Sequence, residues 1–468
     1  MGAQRPPTDD FRDRIATVNA EGKRKWVFAK KPLGKWFNKR KIVSYSLLIF
    51  LLTAPFISIN GEPLLLFNII EKRFVIFGKI FWPQDFYIFA IGMLTALVFI
   101  IVFTLVYGRI FCGWFCPQTI FMEFVFRRVE YWIEGDWNHQ KKLERAPWDS
   151  KKIFKKVLKH IIFWLIAFVI ANVFLSYIIG YKEVFKIVTD NPLNHIGGLI
   201  AIVVFSFLFY GVFAFMREQV CTTICPYGRL QGVLLDKDSM VITYDYNRGE
   251  GRAKFRKNED REAEGKGDCI DCNQCVNVCP TGIDIRNGTQ LECVNCTACI
   301  DECDHIMERI GKPKGLIRFA SDHSIKTGVD FVFSKKAKAY SVVLFILVAL
   351  LTTLVVTRSD YPLSVKKTSS GSLYSEMPGG KIGNIYTLTV INKTSYDAPV
   401  EFKLLEGKGK LQIISESRTL KKQEAYKSSF LIIMDEDDIT KLKTYFKIGV
   451  FVNGELIDEA KLTFVGPM

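Results

Sequence analysis

The sequence predicts a multi-domain membrane protein: a five-span α-helical membrane domain, a cytoplasmic two-cluster ferredoxin-type domain and a C-terminal all-β immunoglobulin-like sandwich. Three observations predict it. Five apolar runs have the length a membrane helix requires, all twelve cysteines fall in four short motifs, and the region beyond residue 358 alternates polar with apolar residues. A chain of 468 residues is also too long for one ordinary core, so several units are expected.

Residues 1–41 form a polar, basic tail with no early apolar region and no small-residue cleavage site, which argues against a cleaved signal peptide. A bilayer-spanning helix needs about 20 mostly apolar residues, because every backbone polar group must be satisfied inside the segment. Residues 42–59, 86–107, 161–180, 196–215 and 339–356 meet that need, with Pro55 tolerable near the end of the first. Residues 62–81 are apolar too, but Glu71, Lys72, Arg73 and Lys79 interrupt them, so an interfacial or re-entrant segment is expected there. The expected limits are 1–41 for the tail, 42–216 for the four-helix membrane domain, 217–338 for the ferredoxin-type domain, 339–357 for the fifth span and 358–468 for the sandwich.

Lysine and arginine set the orientation. The tail carries 12 and residues 109–159 carry 11, whereas the alternate loops 61–85 and 181–194 carry 3 and 2. The positive-inside rule therefore places the N-terminus, the 109–159 loop and the 217–338 segment in the cytoplasm, and the C-terminal region on the far side. The net charge of +15 is this topology signal concentrated beside the membrane. No basic stripe lies on a recognisable nucleic-acid module, so a nucleic-acid partner is not expected.

An internal repeat organises the membrane part. The second span runs into YGRIFCGWFCPQT and the fourth into MREQVCTTICPYGR, so Cys112 with Cys116 and Cys221 with Cys225 form two C-x3-C-P motifs offset by 109 residues. Both spans run toward the cytoplasm, which brings the four thiols to one depth. Four thiolates there suit a soft ion, with Cu(I) the leading candidate, while a dithiol cycling through a disulfide is the alternative. His160 begins the third span at the same level and is a lesser candidate ligand; His139, His195, His305 and His323 are assigned no role.

Residues 251–268 are densely charged with little to bury, which predicts a solvated linker. Beyond it come two C-x2-C-x2-C-x3-C motifs. That spacing lets one short loop present several thiolates to a four-iron four-sulfur cluster, the fourth cysteine reaching the neighbouring cluster. Cys269, Cys272, Cys275 and Cys303 are expected to hold one cluster, and Cys293, Cys296, Cys299 and Cys279 the second. Zinc or disulfides are the alternative, but zinc pairs lack the evenly spaced third and fourth cysteines and the assigned compartment is reducing. Asp304 stands where the first motif has Pro280, so the second loop is expected to leave its cluster in a different direction.

After the fifth span, YTLTVIN from Tyr386, PVEFKLL from Pro399, KLQIIS from Lys410, SFLIIM from Ser429 and FKIGVFV from Phe446 read as strands. Asn453-Gly454 reads as a hairpin turn before ELIDEAKLTFV. Short strands at this density suggest the sandwich.

CGWFCPQ, CTTICPYGR, the cluster motifs ending in CIDECD and the following KGLIRFAS resemble the cytochrome c oxidase accessory proteins of the CcoG family, also called FixG or RdxA. The similarity extends to NGEPLLLFNIIEKRFVIFGKIFWPQDFY between the first two spans and to the sandwich. It implies a bacterial inner-membrane, multi-pass cupric reductase that converts Cu(II) to Cu(I) for the cbb-type oxidase, with two 4Fe-4S clusters and copper as substrate or bound ion. It further implies Cys112, Cys116, Cys221 and Cys225 as catalytic, copper-handling residues. The partners implied are a cytoplasmic electron donor, a copper transporter or chaperone and the oxidase assembly machinery. Membrane polyferredoxins of the NapH type share the short motifs, so an electron relay between quinol and a partner is the second reading and a copper-binding scaffold without turnover the third.

Overall fold

The computed structural model describes residues 16–19, 21–59, 61–69, 73–82, 85–256, 259–329, 333–368, 374–394, 396–414, 419–422, 424–439 and 441–467. Residues 1–15 of the expected basic tail lie outside them. The chain divides into two compact units, Met1–Pro55 with Ala90–Ala349 and Phe56–Phe89 with Leu350–Met468.

Four described helices are long and apolar enough to cross a membrane: Phe86–Tyr107, Ser150–Ile179, Ile196–Met216 and Lys335–Val356. The first expected span is not among them. Its helix, Lys35–Thr53, starts earlier, carries Lys35, Lys39, Arg40 and Lys41, and gives way to a 3₁₀ turn at Ala54–Phe56. Its first turn docks on the cysteine-rich segment: the backbone N–H groups of Trp36 and Phe37 donate to the Asp301 carboxylate at 3.0 and 2.7 Å. A carboxylate there satisfies orphan donors and complements the positive end of the helix dipole. Gly34 makes the approach possible, since a Cβ on it would lie 2.3 Å from Asp301 Cγ.

The helical core is aromatic. Leu48, Phe121, Phe126, Phe163, Ala167, Ile170 and Phe213 are buried together, with the Phe126 and Phe213 rings stacked at 4.5 Å. Such pairs add to area burial through favourable quadrupole geometry.

The described residues of the 251–268 segment are mostly exposed, as expected of a solvated linker, but one buried residue organises them. Arg261 is buried, and its guanidinium donates to the carbonyls of Gly267 at 2.7 Å, Ala253 at 3.2 Å and Cys269 at 3.2 Å while pairing with Glu259. One planar fork with five donors gathers backbone acceptors that lie far apart in an extended chain. Arg261→Ala would leave those carbonyls without their donor, at about 1–3 kcal/mol for each buried group left unsatisfied. Limited trypsin digestion is therefore expected to cut the variant at Lys254 or Arg256 faster than the parent.

In the second unit, the expected interfacial segment at 62–81 is a small antiparallel sheet of Leu65–Asn68, Arg73–Ile76 and Lys79–Phe81. Charges that interrupt a membrane helix do not interrupt a strand, because alternate residues face opposite sides: Leu66, Val75 and Ile80 are buried. The C-terminal region forms two antiparallel sheets. One pairs Lys410–Ile413, Ala425–Asp435, Lys381–Ile391 and Leu363–Lys367, with Ser375–Met377 beside the third; the other pairs Thr419–Leu420, Ala398–Glu406, Lys443–Val452 and Glu455–Val465. Inward residues of both sheets, including Tyr386, Leu388, Phe430, Ile448 and Phe464, share one core. Asn453 (φ 53°) and Gly454 (φ 86°) make the hairpin turn as expected, both in the left-handed region a type I′ turn demands.

Candidate functional site

The eight cysteines of the long motifs surround two cavities. Cys269, Cys272, Cys275 and Cys303 line the first; Cys279, Cys293, Cys296 and Cys299 line the second, and Cys275 reaches both. Each cavity thus takes its fourth thiol from the other motif. The loops curl the same way: Asp271 and Asn273 in one, Asn295 and Thr297 in the other, all hold positive φ between 51° and 67°. Asp and Asn tolerate this conformation, and Arg286 braces the first loop by donating to Asp271 Oδ1 at 2.5 Å and Asn273 Oδ1 at 2.6 Å. After the third cysteine the paths diverge. The helix Gln274–Asn277 stops before Cys279-Pro280, whereas Ala298–Arg309 continues through Cys303 because Asp304 replaces the proline; Asp304 Oδ1 instead accepts from the Gly315 N–H at 2.8 Å.

This donor set fits iron–sulfur clusters. Four thiols line the first cavity and five the second, with no His, Asp or Glu among the described residues lining either, and thiolate is the ligand such clusters take. Among the described residues, no three His, Cys, Asp or Glu side chains converge closely enough for a single metal ion. Thiols placed around a space rather than on a point suit a cluster with volume of its own.

The two C-x3-C-P motifs repeat in three dimensions. Each follows a backbone break at positive φ, Gly108 at 59° and Arg217 at 53°, offset by the same 109 residues as the cysteines. Cys112 lies in the helix Ile110–Trp114 and Cys221 in the π-helical turn Val220–Ile224. Cys116 (ψ 123°) and Cys225 (ψ 112°) then act as N-caps, with Pro117 and Pro226 opening the helices Pro117–Ile120 and Pro226–Leu234. Proline suits that first position, where its missing N–H costs nothing.

Burial pushes the Cys112 thiol up to about 11, against the pull of Arg109, and Cys221 up to about 12, with Cys116, Cys112 and Cys225 all near enough to add to the rise. The four thiols are therefore electrostatic neighbours. A buried amide orients one of them: the Cys112 thiol donates to Gln231 Oε1 at 2.8 Å, and Gln231 Nε2 donates to Tyr227 OH at 2.7 Å and Thr104 Oγ1 at 3.1 Å. Removing a group that orients a ligand typically costs 10–100-fold in metal affinity. If the quartet holds Cu(I), the leading candidate ion of the sequence reading, Gln231→Leu is expected to weaken that binding by about tenfold or more, measured by competition with a Cu(I) chelator.

Beneath the thiols lies a buried ion network. Arg217 donates to both Glu130 oxygens at 2.8 Å, Lys159 pairs with Glu130 at 3.6 Å and Glu134 at 2.9 Å, and Arg127 pairs with Glu123. The Trp26 ring receives both Arg24 and Arg217, at 4.5 and 4.8 Å. Burial opposes ionisation of Glu130, yet Arg217, Lys159 and Arg127 together hold its carboxyl below the usual range.

His160 does not join the cysteines: its Nδ1 bonds Tyr210 OH at 2.8 Å and its ring stacks on Phe215. Sequence reasoning missed Arg109, Gly113, Gln231 and the Glu130–Arg217 pair. A signal existed for two of them, since Arg217 and Gly108 occupy equivalent places in the repeat and Gly113 stands inside the first motif.

Known families match three stretches of the chain. Residues 216–322 match a 4Fe-4S dicluster domain, residues 89–139 a 4Fe-4S binding domain and residues 351–467 the IG-like fold at the C-terminal of FixG. Protein RdxA of Cereibacter sphaeroides is 34% identical over 380 residues, 78% of this chain and 77% of its own. Nitrogen fixation protein FixG of Rhizobium meliloti is 36% identical over 310 residues, 64% of this chain and 58% of its own. Protein RdxB of Cereibacter sphaeroides is 33% identical over 400 residues, 81% of each chain. A crystal structure of a FixG-related protein from Vibrio parahaemolyticus covers 24% of this chain and 100% of its own at 19% identity, with a TM-score of 0.19, below the level at which a shared fold follows.

Proposed function

The chain belongs to the FixG/RdxA family of membrane-associated iron–sulfur proteins, and from that premise we propose that it reduces Cu(II) to Cu(I) and serves assembly of a cbb-type cytochrome c oxidase. The observation that carries this reading is that both C-x3-C-P motifs meet the Cys293–Cys296 loop: Gly113, beside Cys112, packs on Val294, and Cys221 shares a small cavity with Val294. Cys269, Cys272, Cys275 and Cys303 would hold one cluster, and Cys279, Cys293, Cys296 and Cys299 the other. When bound, such clusters supply electrons one at a time.

Copper is the substrate. Cu(II) meeting Cys112, Cys116, Cys221 and Cys225 takes one electron and becomes Cu(I), the ion that soft thiolates select. Binding displaces protons that Cys112 and Cys221 hold at neutral pH, because a metal ligand must be the thiolate. Gln231 orients Cys112, and Arg109 offsets the negative charge that collects as protons leave. The reading carries with it five spans, a cytoplasmic N-terminus and cysteine domain, an outer IG-like domain, a cytoplasmic electron donor and a copper carrier or transporter that receives the product.

The test uses purified full-length protein, reduced anaerobically and freed of reductant. Two equivalents of Cu(II), one for each reduced cluster, are expected to restore the oxidised cluster absorbance and yield two Cu(I) trapped by a chromogenic chelator. No reoxidation by Cu(II), with rapid reduction of the clusters by a quinol, would replace this reading with the quinol relay.

A further inference from the structure

The two cluster cavities differ in what surrounds them. The second lies against the thiol motifs. Gly113, next to Cys112, packs on the loop between Cys293 and Cys296 so closely that a Cβ would fall 2.3 Å from the Val294 carbonyl oxygen and 3.2 Å from Asn295. Trp114 Nε1–H donates to the Asn295 carbonyl at 3.3 Å in the same contact. The second motif reaches that site from its own side. Cys221 shares a small cavity with Val294 and with Pro280 and Thr281, the residues that follow Cys279. Arg127, which lines that cavity, donates to the Pro280 carbonyl at 3.4 Å.

The first cavity shows none of this. Among the described residues lining it, none comes from the C-x3-C-P motifs or from the helices that carry them. Its link to the second cavity is Cys275, which lines both. Its other side opens outward: Cys272 is the one exposed cysteine among the twelve, between exposed Asp271 and Asn273.

We propose that the cluster sites have fixed and different places, resting on the copper-reduction reading: the Cys279–Cys293–Cys296–Cys299 site adjoins the copper-handling thiols through Gly113, and the Cys269–Cys272–Cys275–Cys303 site is the outer one, where electrons enter beside the exposed Cys272. Clusters held there would pass electrons one at a time, so that each electron entering at the outer site would leave from the inner one to a single Cu(II). The backbone contact at Gly113 leaves no room for a side chain, which keeps the thiol motif and the inner loop at atomic contact. The Asp271–Asn273 loop, braced by Arg286, holds the outer thiol at the surface.

The experiment compares full-length Cys272→Ser and Cys296→Ser proteins, reconstituted, reduced with dithionite and freed of it. Iron content and the EPR spectrum identify the cluster each retains. Zn(II), thiol-seeking and redox-inert, is then added and the midpoint potential of the retained cluster is measured. A divalent charge at the thiols is expected to raise the potential in Cys272→Ser and leave it unmoved in Cys296→Ser. With one equivalent of Cu(II) for the single cluster each variant retains, Cys272→Ser is expected to be reoxidised about 100-fold faster than Cys296→Ser. Equal responses or the reverse pattern overturn the proposed order. A parent protein that Cu(II) does not reoxidise, with the Zn(II) shift still confined to Cys272→Ser, defeats the copper reading and leaves the order standing. Should either variant lose both clusters, Gly113→Ala decides with every ligand in place: both EPR signals intact and reoxidation slowed by about tenfold or more support the order, and an unchanged rate overturns it.

Discussion

Replacing Cys112 and Cys221 together by serine is expected to abolish reoxidation of the reduced protein by Cu(II) while both cluster spectra persist. The two residues are the first cysteines of the repeated motifs, and burial raises the pKa of both thiols. Serine is nearly isosteric, so Gln231 keeps a donor at the Cys112 position and the local fold is retained. What is lost is the soft ligand, since a hydroxyl does not deprotonate near neutrality and does not select Cu(I). The measurement is the anaerobic return of cluster absorbance after two equivalents of Cu(II), one per reduced cluster, with EPR of the reduced state confirming the clusters. Persistence of the parent rate in the double variant would remove the quartet from the reaction.

The second large effect is structural. Arg217→Ala is expected to cost about 3–5 kcal/mol, because it leaves Glu130 as a buried charge without its bidentate partner. Alanine also inherits the positive φ at position 217, so no backbone strain is relieved. Thermal loss of cluster absorbance in detergent should fall to a markedly lower temperature. The companion Glu130→Leu with Arg217→Met should recover much of the loss, since paired removal of a buried ion pair is often nearly neutral. A double-mutant cycle measures the coupling directly, and additive single effects would show the pair to be uncoupled. Acid acts on the same pair. With the Glu130 carboxyl held below its ordinary value of 4.5, its contribution is fully present above that pH and is lost as pH falls through the depressed folded value.

Much of the architecture was legible because its determinants are local. Spacing along a loop is a covalent constraint, so the crossed grouping of eight cysteines around two cavities could be read from C-x2-C-x2-C-x3-C alone, as could the Asn453-Gly454 turn. Three elements read less well. Helix Lys35–Thr53 carries basic residues whose destination, the carbonyl of Gly113 for Arg40 and the carboxylate of Asp301 for the helix start, no hydropathy pattern encodes. The exposure of the 251–268 segment was legible, but charge density says nothing about Arg261, the buried arginine that folds the chain around itself. Residues 62–81 hid a period-two pattern beneath charges that a span count treats as interruptions.

By itself the sequence determined the ligand chemistry, the repeat that doubles the C-x3-C-P motif, the apolar helices and the β-rich C-terminal region. All are written in spacing and period, and spacing survives without knowledge of the fold. Only the tertiary structure decided which cluster loop meets the thiols, because that contact joins Trp114 to Asn295 across 181 residues of chain. It alone paired Arg217 with Glu130 across 87 residues and set Gln231 on Cys112 across 119. Such contacts follow from packing whole elements together, where burial makes each unpaired polar group costly and so selects the partner that satisfies it.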